Sequence, residues 1–206
     1  MVTRDDYFNP LDKESLAKSL AAAFMRQPCR PMPPEPIVGA GVYALYYGGK
    51  LPFYELVARH NKGNVCKEPI YVGKAIPKGG RKGGIGFNAL EGNALFTRLR
   101  EHAKSIEQAQ NLSLDDFRYR YLVVDDIWIP LAENILISIF RPLWNVIVDG
   151  FGIHDPGEGR KRQAKSDWDT IHPGRPFTRD LPEKKTANQI IARIQEFFGN
   201  FFSRTT

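Results

Sequence analysis

Glu133 lies one turn into LAENILISIFR, a stretch that is otherwise almost wholly apolar. A carboxylate is tolerated there only if it is paired, bound to a cation or close to the surface. One reading is an acid in a helical first turn, favoured by the helix dipole. The other is a lone ligand for a hard divalent ion, because Mg²⁺ keeps several waters and takes one or two protein carboxylates beside a substrate phosphate. Arg98 and His102 stand at i and i+4, so one helix can aim both at one place. Arginine grips phosphate with two donors, and histidine relays a proton or orients a neighbour. As a plain alternative, the pair forms part of a solvated helix face. Tyr43 and Tyr71 each sit in a β-branched, aromatic run, with Gly41 two residues before one and Gly73 two after the other. Strand tyrosines are ordinarily core residues. A phenol can also hold or deprotonate water, and the glycines would let a backbone or phosphate come close.

Two basic segments add charge. Lys74, Lys78, Arg81 and Lys82 fall within nine residues, interleaved with glycine. Arg160, Lys161, Arg162 and Arg175 form a later set. Either is a solvated loop or a contact for a phosphate backbone. The G-x-x-x-x-G-K-[ST] spacing of a P-loop is absent, as are H-E-x-x-H and G-x-S-x-G. Cys29 and Cys66 are too few for a disulfide scaffold or a four-cysteine zinc site, and Cys66 reads as packing.

The elements that must position these residues follow from pattern. Residues 11–26 read as a helix with Asp12 as N-cap and Leu16, Leu20, Ala23 and Phe24 on one side. Five prolines in residues 28–36 argue against regular structure there, so the segment reads as a linker. Residues 41–47 and 69–73 read as strands, with a short helix in the insert between them. Residues 93–110 read as a helix and 117–124 as a half-buried strand. Pro130 opens a helix that Pro142 closes, and its nearly all-round apolar character predicts burial. A last helix spans about 183–202 and carries Ile190, Ile191, Ile194, Phe197, Phe198 and Phe201.

The expected fold class is therefore α+β: a small antiparallel three-stranded sheet flanked by helices. The domain reading is an N-terminal arm and linker (1–36), a core (37–148) with an insert at about 48–68, and a basic loop region with a C-terminal helix (149–206). Composition fits one domain with decorations. The 206 residues are 42% hydrophobic and 12% aromatic, enough for a real core. Lys plus Arg number 29 against 23 Asp plus Glu, a net +6 that permits a polyanionic partner. No run reaches the roughly 18 apolar residues of a membrane span, and the N-terminus lacks a signal-peptide layout. A reducing cytoplasmic location is the default expectation.

Gly41-Val42-Tyr43 followed by Tyr71-Val72-Gly73 resembles the paired signature of the GIY-YIG nuclease superfamily. Arg98, His102, Glu133 and Asn145 follow in the matching order, so the resemblance covers about residues 37–148. Two departures stand out: valine is the middle residue of both tripeptides, and the stretch between them is long. The N-terminal arm, the insert and the C-terminal region resemble additions in the small type II restriction endonucleases built on this core. The run from Trp168 to Arg175 is similar to the branch that cuts within CCGCGG.

The resemblance implies a metal-dependent phosphodiesterase acting on double-stranded DNA. It assigns activation of the attacking water to Tyr43, and positioning of that water or of the scissile phosphate to Tyr71. Arg98 would steady the phosphate, His102 would hydrogen-bond near the base, Asn145 would support the site, and Glu133 would hold a single Mg²⁺. Lys74 would ease formation of a tyrosinate. Lys78, Arg81, Lys82, Arg160, Lys161, Arg162 and Arg175 are the candidate DNA contacts, the four arginines among them also candidates for reading guanine. A palindromic site implies a homodimer, and a restriction enzyme implies a host DNA methyltransferase as partner. A structure-selective or homing nuclease and a non-catalytic DNA-binding protein are the alternatives.

Overall fold

A computed structural model describes residues 12–77, 92–153 and 163–202, apart from the side chains at 13, 64 and 200–202. Helix α1 (Lys13–Met25) begins where expected: the Asp12 carboxylate accepts from the Ser15 N–H at 2.8 Å. The sheet holds β1 (Arg30–Pro31), β2 (Gly41–Tyr47), β3 (Tyr71–Ala75) and β4 (Phe117–Val123) in the order β1-β4-β2-β3, every pair antiparallel. The insert between β2 and β3 carries α2 (Glu55–His60). Helix α3 (Ala94–Gln108) precedes β4, and α4 (Ile129–Phe140) and the short α5 (Leu143–Val146) follow it. Helices α6 (Asp167–Ile171) and α7 (Ala187–Phe202) are the last two among the described residues.

Strand periodicity sorts the core into two layers. Every residue of β2 is buried, so both of its faces are covered. Tyr43, Leu45 and Tyr47 face Leu95, Leu99 and Ile106 of α3, and that layer extends to Trp144, Trp168, Ile190 and Ile194. Val42, Ala44 and Tyr46 face Phe24 of α1 and Ile129, Ala132 and Leu136 of α4. The α+β class holds, with an antiparallel sheet and helices on both sides.

Four expectations are corrected. The sheet has four strands among the described residues, not three, because Arg30 and Pro31 pair with Tyr119 and Arg118. Proline does not prevent this at a sheet edge, where only one side of the strand needs donors; the Met32 N–H supplies one to the Phe117 carbonyl at 3.1 Å. Helix α4 is not buried all round. Ile129, Ala132 and Leu136 point inward, whereas Leu131 and Ile139, with Ile127 and Trp128 just before the helix, are exposed. Strand β4 is not simply half-buried: Arg120 lies beneath α1 and donates to the Tyr46 hydroxyl at 3.1 Å. Cys66 is more than packing, since it is disulfide-bonded to Cys29 and ties the insert to the segment after α1.

No helix among the described residues is long and apolar enough to cross a membrane.

Candidate active site

The site forms at β3, the open edge of the sheet. Side chains on a strand alternate between faces, so Tyr71 lies on the Tyr43 side of the sheet while Lys74 lies on the side of α4. A cleft of about 750 Å³ wraps this edge, and Tyr43, Tyr71, Lys74, Arg98, Glu101 and Glu133 line it. Residues from two strands and two helices thus meet in one place.

Tyr43 sits on the central strand, fully buried, directly across from Gly73 in the register. A Cβ at residue 73 would collide with the Tyr43 hydroxyl and stand 2.7 Å from its Cζ. The Gly73 vacancy is therefore filled by the Tyr43 ring. At Gly41 the close neighbour is the Leu122 carbonyl. Both glycines make room for protein atoms, not for a ligand.

The Tyr43 hydroxyl lies 2.6 Å from His102 Nε2. His102 is buried on the inner face of α3, stacked on Phe151 with ring centroids 4.6 Å apart and planes within 16°. Tyr71 approaches the same imidazole at 5.2 Å and Phe151 at 5.0 Å. Burial pushes the Tyr43 phenol well above its ordinary range, the neighbouring Tyr71 pushes it further, and the Arg98 guanidinium opposes both. Burial also raises Tyr71, again against Arg98. Arg98 donates to the Glu101 carboxylate at 2.9 Å and to the Gly152 carbonyl at 3.0 Å. The i, i+4 spacing thus brings Arg98 and His102 to one locus, Arg98 at the cleft and His102 behind Tyr43.

On the other face, Lys74 Nζ donates to the Glu133 carboxylate at 2.6 Å. The Glu133 side chain retains 16% exposure, which opens it to the cleft. Lys74, the residue expected to ease a tyrosinate, is engaged by Glu133, and the Arg98 guanidinium lowers the Tyr43 phenol against its burial. Among the described residues, no three His, Cys, Asp or Glu side chains cluster as a metal site. Glu133 offers one carboxylate, which fits an ion that takes one protein carboxylate and completes its shell from water and substrate, as Mg²⁺ does.

Asn145 does not line the cleft. Its side chain accepts from the Val72 N–H and donates to the Val72 carbonyl, both at 2.8 Å, and so acts as a one-residue partner for the edge of β3.

Of the candidate DNA contacts, Lys78, Arg81, Lys82, Arg160, Lys161 and Arg162 lie outside the described residues. Arg175 is described, and it is only 2% exposed. It forms a two-pronged ion pair with Asp169 at 2.6 Å and donates to the carbonyls of Gly150, Phe151 and Ile153. A guanidinium so spent has no donors to offer a base edge, so the expected base contact is corrected to a role inside the fold.

Three neighbours of the site escaped the sequence reading. Glu101 stands three residues after Arg98, a spacing that marks it as an ion-pair partner. Phe151 and Gly152 arrive from beyond the helices, and no local signal announces them.

The match to known proteins agrees with this geometry. A search of curated proteins finds no match. The family model of the Eco29kI GIY-YIG domain matches residues 35–198. That stretch takes in both tyrosines, α3, Glu133 and Asn145 as well as helix α6, and the chain accordingly belongs to the GIY-YIG restriction endonuclease family, with a nuclease domain whose substrate is DNA.

Proposed function

We propose that this protein is a type II restriction endonuclease that hydrolyses phosphodiester bonds in double-stranded DNA at a specific sequence, with CCGCGG as the candidate site. The observation that carries the reading is the convergence of Tyr43, Tyr71, Arg98 and Glu133 on one cleft. Phosphodiester hydrolysis needs an activated water, charge stabilisation on the phosphoryl oxygens and help for the leaving oxygen.

The water is activated by Tyr43. A standing tyrosinate is disfavoured, because burial holds the phenol well above its ordinary range. The 2.6 Å contact with His102 offers a route that avoids one. Tyr43 passes its own proton to Nε2 of the neutral imidazole as its oxygen takes the proton of the attacking water. The water oxygen bonds to phosphorus as the bond from phosphorus to the leaving oxygen breaks, leaving neutral Tyr43, an imidazolium at His102 and a leaving alkoxide that takes its proton from solvent water. Tyr71 orients the water from the cleft side, and Arg98 binds the non-bridging oxygens. Family members work with a divalent metal, and here Glu133 would hold it, with Mg²⁺ as the proposed ion. When bound, the metal supplies Lewis-acid stabilisation at the phosphate and its leaving oxygen. Lys74, which pairs with Glu133, would share that carboxylate with the metal. Asn145 keeps β3, and with it Tyr71, in register.

A palindromic site calls for two active sites, so the active species is read as a homodimer, with a host methyltransferase protecting the same sequence. The basic segments 78–82 and 160–162, which lie outside the described residues, are the proposed DNA contacts, and cytoplasmic residence belongs to the same reading.

The test is digestion of unmethylated phage DNA by purified protein with Mg²⁺, beside Glu133→Ala. Discrete fragments from the wild type alone support a sequence-specific, Glu133-dependent nuclease, and their ends give the site. Cleavage confined to branched DNA would point to a structure-selective nuclease. Intact DNA in both lanes, with binding retained, would point to a non-catalytic DNA-binding protein.

A further inference from the structure

All five donors of Arg175 are spent inside the fold, and none of them reaches the cleft. Nε and Nη2 hold Asp169 of α6. Nη1 donates to the carbonyls of Ile153 at 2.7 Å and Phe151 at 3.3 Å, and Nη2 to that of Gly150 at 2.9 Å. The guanidinium lies over the Trp168 ring at 4.6 Å and the Phe177 ring at 5.0 Å. Three carbonyls of one turn, residues 150–153, therefore converge on a single cation. A planar fork can meet a carboxylate and three carbonyls together; an ammonium cannot.

That turn is the back wall of the site. Phe151 stacks on His102 and meets the Tyr71 ring edge-on. The Gly152 carbonyl accepts from Arg98. The turn runs so close to the site that a Cβ at residue 152 would stand 2.8 Å from the Tyr71 hydroxyl. A shift of these few residues would move the neighbours of Arg98, His102 and Tyr71 at once.

We propose that Arg175 is a positioning residue: by locking the 150–153 turn it fixes the orientation of Arg98 and His102 for the reaction. The proposal takes its reaction from the nuclease reading above and its linkage from the geometry alone. Misplacement of reacting groups by about 1 Å can lower a rate about 100-fold. Arg175→Lys keeps the charge and loses the fork. It should lower kcat for cleavage roughly 10- to 100-fold and leave KM within about twofold. Ile194→Val, which trims a buried side chain in the same region, should weaken the fold and leave kcat near wild type.

The closing measurement adds a readout independent of turnover, the His102 ring ¹H–¹³C resonance. Stacking on Phe151 shifts it through the ring current, and Arg175→Lys should move it whereas Ile194→Val should not. A wild-type kcat in Arg175→Lys, or a kcat loss no larger than that of Ile194→Val at equal thermal stability, overturns the proposal. So does an unmoved His102 resonance. If the wild type cuts no DNA, the nuclease reading fails and the resonance decides the linkage by itself. If Arg175→Lys does not fold, Phe151→Leu takes its place. It keeps apolar bulk and removes the stacking face, and a wild-type kcat there overturns the proposal equally.

Discussion

At the scale of single residues, two substitutions separate the chemistry from the packing. Tyr43→Phe keeps the buried ring and removes only the hydroxyl that meets His102 Nε2. General acid–base steps contribute about 10²- to 10⁴-fold, so kcat should fall within that range while DNA affinity in the absence of metal is unchanged. A kcat within a few-fold of wild type would remove Tyr43 from the proposed proton path. Gly73→Ala tests the opposite case. The new methyl group meets the Tyr43 ring, and overpacking a core costs about 1–3 kcal/mol. Thermal unfolding should report that loss, and activity should fall with it because the ring that must move is Tyr43. Most of this site was legible as residue types at spacings: two strand tyrosines, an Arg/His pair one helical turn apart and an isolated carboxylate. The role of Gly73 was not, because it depends on cross-strand register, which no tripeptide encodes. Arg175 misled for a related reason. A basic residue in a Pro- and Gly-rich stretch looks solvated until Asp169 and three carbonyls are brought around it.

At the scale of elements, the sheet's open edge is the feature that function depends on. An edge strand leaves N–H and C=O groups unpaired along one side. Asn145 takes both of those groups at Val72, and the Trp144 N–H donates to the Ile70 carbonyl at 2.9 Å just before the strand. Asn145→Ala removes the side-chain bonds and should cost about 1–3 kcal/mol, the penalty for leaving part-buried backbone groups unmet. Hydrogen exchange at the Val72 amide should quicken more than at Ala44 on the central strand. Equal protection at both positions would show that the clamp is dispensable. The elements themselves were largely readable. Asp12 capped α1, Pro130 and Pro142 bracketed α4, and β-branched and aromatic runs marked β2 and β4. What pattern could not supply was which faces are covered. An all-apolar helix and a proline-rich segment look alike in sequence whether they end up inside the protein or at an edge, and tertiary neighbours decide. In α4 they cover one side and leave Leu131 and Ile139 exposed.

At the scale of the whole molecule, one histidine joins three distant parts of the chain. His172, at the end of α6, meets the Tyr54 hydroxyl of the insert at 2.7 Å and Asn111, beyond α3, at 2.9 Å. Tyr54 in turn accepts from the Trp144 indole at 2.8 Å. With Trp144 donating to it, Tyr54 gives its own proton to His172 Nε2, and the other ring nitrogen donates to Asn111. That network has no place for a second proton on the imidazole. Burial, reinforced by the nearby Arg175 charge, lowers His172 from the ordinary 6.5 to about 3. The unfolded chain therefore binds a proton near pH 6.5 that the folded protein refuses until about pH 3. Between those limits the unfolded state holds more protons, so stability falls as pH falls, by up to about 1.4 kcal/mol per pH unit for this one group. Above pH 6.5 the contribution is complete and flat. Carboxylates elsewhere add their own acid sensitivity, so the quantity to measure is a difference. Urea unfolding of wild type and His172→Gln between pH 7 and pH 4 should give a shallower slope for the variant, by close to one proton. Parallel slopes would mean that His172 takes up its proton in the folded state and that the contact among insert, α3 and the C-terminal region tolerates the charge.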